Sequence, residues 1–120
     1  MMNSQAWPTE IQLSQDKRVL SVHFDDGVSA QIPAELLRVE SPSAEVQGHG
    51  SGQKKTLTGK RNVTVTAIET VGQYAVRLIF DDGHNTGIYS WAVLYRFATE
   101  QDDMMRDYLD RLKDKGLSRD

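Results

Sequence analysis

Three histidines, four paired aspartates and one stretch rich in glycine and lysine are the residues of this 120-residue chain most suited to chemistry. His23, His49 and His84 would bind a divalent metal if the fold brought them together, since neutral imidazole is the commonest protein metal ligand. Asp25 with Asp26, and Asp81 with Asp82, would suit acid-base work as paired carboxylates. Each pair also precedes a glycine, and aspartate bonds its own backbone in tight turns. Turn chemistry is therefore the simpler account. His49 lies in Gly48-His49-Gly50-Ser51-Gly52, with Lys54 and Lys55 close behind. There backbone N–H groups and ammonium groups could receive an anion, giving one reading of the Gly48 to Arg61 segment as a small-molecule or anion site. The spacing fits neither a Walker loop nor a dinucleotide fingerprint, and a linker explains the segment more simply. Ser41, Ser43 and Ser90 have no nucleophile-elbow context. The chain contains no cysteine, which excludes disulfides, thiolate metal ligands and cysteine nucleophiles. No motif demands an enzyme.

These residues are carried by a pattern that occurs twice. Val22-His23-Phe24-Asp25-Asp26-Gly27, then Ile32 and Ala34 to Arg38, is echoed by Leu78-Ile79-Phe80-Asp81-Asp82-Gly83, then Ile88 and Trp91 to Leu94. Each copy reads as strand, Asp-Gly turn, strand and short helix, because such a turn needs a positive φ that glycine adopts without steric cost. The copies differ after the turn: Val28 follows the first and His84 the second. His84 is thereby aimed from a hairpin toward a neighbouring loop. His23 falls on the strand face opposite Val22 and Phe24, a surface or cross-strand position.

Period-2 alternation predicts further strands over Thr9 to Leu13 and over Val63 to Ile68, with a turn at Val71-Gly72-Gln73. Tyr74, Val76, Leu78 and Phe80 then share one face of the next strand. Pro33 suits the first turn of a helix over Ala34 to Arg38. Ser41 before Pro42, with Glu45 following, resembles an N-cap with proline at the first helical position. Ser90 caps a helix carrying Trp91, Leu94 and Tyr95. A separate helix is expected from Thr99, where Thr99-Glu100-Gln101-Asp102 resembles a capping sequence, with Met105, Tyr108, Leu109 and Leu112 as its apolar stripe and Gly116 as its end.

The expected fold is α+β: a twisted antiparallel sheet built from two related β-hairpins, short helices at the sheet ends and a C-terminal helix. Residues 1–98 make the domain and residues 99–120 its amphipathic helix and tail. With 38% hydrophobic and 26% charged residues, the composition is that of a globular domain with one core. A net charge of −3 disfavours a general nucleic-acid binder, which needs a basic face. No stretch approaches the ~20 apolar residues of a membrane span, and the first residues lack a signal-peptide pattern. A cytoplasmic protein that binds neither nucleic acid nor membrane is the expectation.

Three segments resemble a known family: Leu37-Arg38 through Ser41-Pro42-Ser43-Ala44-Glu45-Val46-Gln47-Gly48-His49-Gly50; Val71-Gly72-Gln73-Tyr74-Ala75-Val76; and Phe80-Asp81-Asp82-Gly83-His84-Asn85-Thr86-Gly87-Ile88-Tyr89-Ser90-Trp91. The chain resembles the DUF971 family, the gamma-butyrobetaine hydroxylase-like N-terminal domain, over about Pro8 to Phe97. In eukaryotic gamma-butyrobetaine and trimethyllysine dioxygenases, similar domains precede the oxygenase barrel and hold a structural zinc through three cysteines and a histidine. The resemblance places His84 at that histidine, and Ser41, Ser43 and Val46 at the cysteines. Two hydroxyls and an isopropyl group do not replace thiolates, so it implies a lost zinc site and no resident cofactor. The oxygenase barrel lies outside the resemblance, so dioxygenase activity is not carried over. Other members are fused to ATPases of the iron-sulfur carrier type. This implies a noncatalytic accessory or interaction module whose partner is a metal or iron-sulfur carrier protein. The alternative is a metal-binding protein, or metal-dependent enzyme, holding iron or zinc through His84, His49 and a carboxylate such as Glu45.

Overall fold

Each half of the chain folds as a three-stranded antiparallel meander followed by a helix. The computed structural model describes residues 6–48 and 54–120. In the first half, β1 (Pro8–Leu13), β2 (Val19–Phe24) and β3 (Ser29–Pro33) pair in the order β1-β2-β3 and lead into α1 (Ala34–Val39). A single-turn helix, α2 (Ala44–Gln47), follows. In the second half, β4 (Val65–Val71), β5 (Ala75–Phe80) and β6 (Gly87–Ser90) pair in the same order and lead into α3 (Trp91–Asp114). The α+β fold expected from the repeated hairpin is the fold observed. The two hairpins sit in separate sheets, one each.

One face of each meander turns inward. Leu20, Val22, Phe24 and Ile32 from the first sheet join Val65, Val76, Leu78, Phe80 and Tyr89 from the second in a single buried cluster with Leu36 and Leu37 of α1. Burying an aliphatic or aromatic side chain of this size contributes about 1.5–3 kcal/mol. A backbone bond also ties the halves together: Val65 N–H donates to Lys17 O at 2.9 Å, next to Ala34 N–H donating to Arg18 O at 2.8 Å within the first half.

Four local expectations need correction. First, α3 runs unbroken from Trp91 to Asp114; the Thr99 hydroxyl donates back to Tyr95 O at 2.9 Å instead of capping a new helix. Its buried stripe is Leu94, Phe97, Met104, Tyr108 and Leu112, while Leu109 is exposed. Gly116 does end it, with φ of 65° and Leu117 N–H bonded to Leu112 O. Second, Pro33 lies just before α1 in extended conformation, as the last residue of β3. Third, α2 is capped by Ser43, whose hydroxyl accepts from Glu45 N–H, and not by Ser41. Fourth, the residue equivalent to Ile32 is Tyr89, not the exposed Ile88. Leu20 pairs with Ile32, twelve residues on, whereas Val76 pairs with Tyr89, thirteen residues on. The second hairpin holds one additional residue, and it lies between His84 and Gly87.

Candidate functional site

The two Asp-Gly turns are alike down to their hydrogen bonds. Phe24 N–H donates to Val28 O and Gly27 N–H to Phe24 O; Phe80 N–H donates to His84 O and Gly83 N–H to Phe80 O. Both glycines hold φ near 90°. The second aspartate of each turn accepts from the backbone two residues on: Asp26 from Val28 at 2.9 Å, Asp82 from His84 at 3.0 Å. The aspartates are therefore turn residues, as their spacing implies.

Past the turn the copies diverge. The extra residue lets Asn85 and Thr86 swing out to solvent, and His84 turns inward, only 5% exposed. Its Nε2 stands 2.9 Å from Ser41 Oγ and its Nδ1 2.9 Å from Glu45 Oε1. With carboxylate on one side, Nδ1 carries the proton and donates to Glu45, which leaves Nε2 to accept from the Ser41 hydroxyl. Ser41 Oγ in turn accepts Ser43 N–H at 3.3 Å. Burial, together with the Arg38 guanidinium, lowers the His84 pKa below its ordinary value, against the opposing pull of Glu45 and Asp82. Folding therefore favours the neutral ring over the charged one.

Around this centre the polar side chains form a connected set of hydrogen bonds, with Arg38 Nη1 buried and unpartnered among the described residues. Ser43 Oγ shares a 2.6 Å hydrogen bond with Thr86 Oγ1, so α2 is tied to the displaced residues of the second hairpin. Tyr89 donates its hydroxyl to Leu37 O at 2.5 Å, and burial pushes its pKa far up. Asp82 Oδ2 accepts from Arg38 Nε at 2.7 Å and Lys60 Nζ at 2.5 Å. Burial opposes its ionisation, but the hydrogen bonds from Lys60, His84 N–H and Arg38 hold its carboxyl down to about 2. Gly87 packs so closely that a Cβ there would lie 2.6 Å from Ser41 Oγ and 3.0 Å from Tyr89 Cε1.

Of the residues singled out by sequence, Ser41, Glu45 and His84 come together. Ser43 is one bond removed, Val46 is wholly buried in the interior, and His23 is exposed on β2. His49 lies outside the described residues. The sequence reading gives no role in the site to Arg38, Lys60 or Gly87. Aligning Gly87 with Ala30, which pairs with Val22 as Gly87 pairs with Leu78, was the signal available for the last.

The connectivity Ser–His–carboxylate is that of a nucleophilic triad, but exposure runs the opposite way. Ser41 is wholly buried, while the Glu45 side chain is 60% exposed. The cluster does not fit the zinc site of three thiolates and a histidine that the resemblance implies: the positions it assigns to the thiolates carry hydroxyls and Val46, and both ring nitrogens of His84 are hydrogen-bonded. Among the described residues no group of three or more His, Cys, Asp or Glu is placed to hold a metal ion. Nor, among them, is any helix long and apolar enough to cross a membrane.

Comparison with known proteins bears on the same residues. The gamma-butyrobetaine hydroxylase-like, N-terminal family matches residues 11–95, a span that holds the whole cluster. No functionally curated protein matches. Among solved structures, two proteins determined by NMR in solution are similar: one at 44% identity and TM-score 0.84, covering 98% of this chain and 92% of its own, the other at 47% and 0.80, covering 99% and 91%. A crystal structure of a protein of unknown function in the DUF971 family, from Acidithiobacillus ferrooxidans ATCC 23270, is 41% identical with TM-score 0.63, covering 76% of this chain and 91% of its own.

Proposed function

The chain belongs to the gamma-butyrobetaine hydroxylase-like, N-terminal (DUF971) family, and from that premise we propose that it is a noncatalytic accessory module of the cytoplasm that docks a metal or iron-sulfur carrier protein. The observation that carries this reading is the His84 cluster. Ser41 and Glu45 hold the imidazole by hydrogen bonds of 2.9 Å on each side, at the position where the resemblance puts a metal ligand. Hydrogen bonding does there what coordination would do: it pins α2 to the second hairpin. What faces outward is a fixed surface of Glu45, Asn85 and Thr86, suited to recognition by another protein. Fusion of some family members to cluster-carrier ATPases supports the class of partner. The test is affinity capture of the full chain under reducing, anaerobic conditions. Enrichment of a metal or cluster carrier, lost on Glu45→Lys, is expected; recovery of no such protein would overturn the proposal.

A second reading rests on the exposure of Glu45. A carboxylate beside an imidazole nitrogen is a two-donor start for iron or zinc, to which His49 would add a third. Titration with either metal, followed at the His84 ring resonances and by elemental analysis, separates the readings. Unmoved resonances and no bound metal eliminate the second.

A further inference from the structure

A different surface carries a sharper inference. Beyond Gly116 the tail returns along the body, and its contacts are concentrated in two consecutive residues. Arg119 lays its guanidinium on Glu35 of α1, with Nε donating to Oε2 at 2.8 Å and Nη2 donating to Oε1. Glu35 is only 5% exposed, and among the described residues its carboxylate has no other hydrogen-bond partner. Asp120 accepts from Arg61 Nε at 2.5 Å and Nη2 at 3.3 Å. Between them, Arg61 N–H donates to Arg119 O at 3.4 Å. Thus a buried carboxylate reads a guanidinium, a guanidinium reads a carboxylate, and a backbone amide reads the carbonyl that joins them.

Two-pronged ion pairs of this kind add geometric selectivity to attraction, because the planar fork of arginine matches a carboxylate where lysine does not. The two pairs differ in weight. Arg61 and Asp120 are exposed and screened by water, whereas Glu35 is desolvated and costly to leave unpaired. Selectivity therefore resides in Glu35, and orientation in Arg61.

We propose that Glu35 and Arg61 form an acceptor site for an arginine-acid segment, occupied in cis by Arg119 and Asp120, and that a partner protein presenting the same pair docks there by displacing the tail. The tail is then both ligand and guard. A tethered segment acts at an effective concentration on the order of millimolar, so a competing segment enters only if it binds well or the tail is drawn away. This site shares no residue with the His84 cluster, and its test stands or falls separately.

The test titrates the isotope-labelled full chain with the peptide amide Leu-Ser-Arg-Asp, the sequence of residues 117–120. In the Arg119→Ala, Asp120→Ala variant the Glu35 and Arg61 amide resonances should shift to saturation. The unaltered chain should need at least about ten-fold more peptide, because its own tail competes, and adding Glu35→Gln to the variant should abolish the response. A folded variant with no saturable shift, an equal response in the unaltered chain, or an undiminished response after Glu35→Gln each overturns the proposal. If the double variant does not fold, Arg119→Lys keeps the charge, loses the fork and takes its place with the same three readings. A dimer that grows with concentration and vanishes in the variant would assign the site to tail exchange between copies, which also overturns it.

Discussion

The two Asp-Gly turns share sequence, glycine conformation and backbone bonding, yet one ends at the surface and the other in a polar cluster. What separates them is a single extra residue. In the first turn the returning strand begins at once, Ala30 fits opposite Val22, and the half-buried Val28 follows the turn. In the second, Asn85 and Thr86 bow outward, the strand begins only at Gly87, and His84 is swung in to meet Ser41 and Glu45. A bulge re-aims a side chain without altering the scaffold that carries it. A repeat can therefore be specialised by length as well as by residue type.

Exchanging the residues after the turns is the most damaging way to test this contrast. His84→Val, which gives the second copy the residue of the first, should cost about 3 kcal/mol, because it strips both hydrogen bonds and leaves the buried Ser41 hydroxyl with no acceptor for its proton. Val28→His should change little, as that position faces solvent in part. Thermal or denaturant unfolding of both variants checks the asymmetry; equal losses would show that the cluster has no special weight. The pH dependence sharpens the same point. Because folding lowers the His84 pKa, the unfolded chain binds more protons below its ordinary value of 6.5. That contribution is complete above pH 6.5 and is lost as pH falls. His84→Gln should flatten the decline in melting temperature on the acid side of pH 6.5.

Gly87 and Ala30 supply the next comparison. They occupy equivalent positions, but a Cβ at Gly87 would meet Ser41 Oγ at 2.6 Å. Gly87→Ala should cost about 1–3 kcal/mol by overpacking, and Ala30→Gly only about 0.5–1 kcal/mol through backbone entropy. Unfolding curves that rank the two in reverse would mean that Ser41 yields easily and that the cluster is loosely held.

The scaffold was legible in the sequence because its signals are local. Asp-Gly between alternating apolar runs marks both hairpins, and Gly116 marks the end of α3. His84 and Glu45 were both named as candidates, and the resemblance placed Ser41 beside them. The burial of Ser41 was not legible, since it depends on Gly87 arriving from 46 positions away in sequence. The register was missed because Ile88 aligns with Ile32 by type, whereas pairing aligns Tyr89 with it. Thr99 read as a cap because its hydroxyl and the acids behind it match one, and nothing nearby reveals that Tyr95 O takes that hydroxyl first. Long-range partners such as Arg38, Lys60 and the Arg119 tail leave no mark on periodicity at all.

The smallest expected effect probes the aspartates themselves. Asp82 is held by Arg38 and Lys60, with its carboxyl down at about 2, against an ordinary 3.8. Asp26 meets the Tyr95 hydroxyl, which lowers its pKa, but it lies in water. A carboxyl depressed in the folded state contributes stability that is present above its unfolded pKa and is lost as pH falls toward the folded one. Asp82→Asn should therefore destabilise the protein at pH 7 by about 1–2 kcal/mol, a figure discounted for partial solvent screening. It should also remove part of the steep decline between pH 4 and pH 2. Asp26→Asn should leave the melting temperature at pH 7 unchanged. Both aspartates make the same backbone bond to the residue two positions on, so that bond cancels in the comparison. Any excess loss at Asp82 measures what Arg38 and Lys60 add in holding the second turn beneath His84.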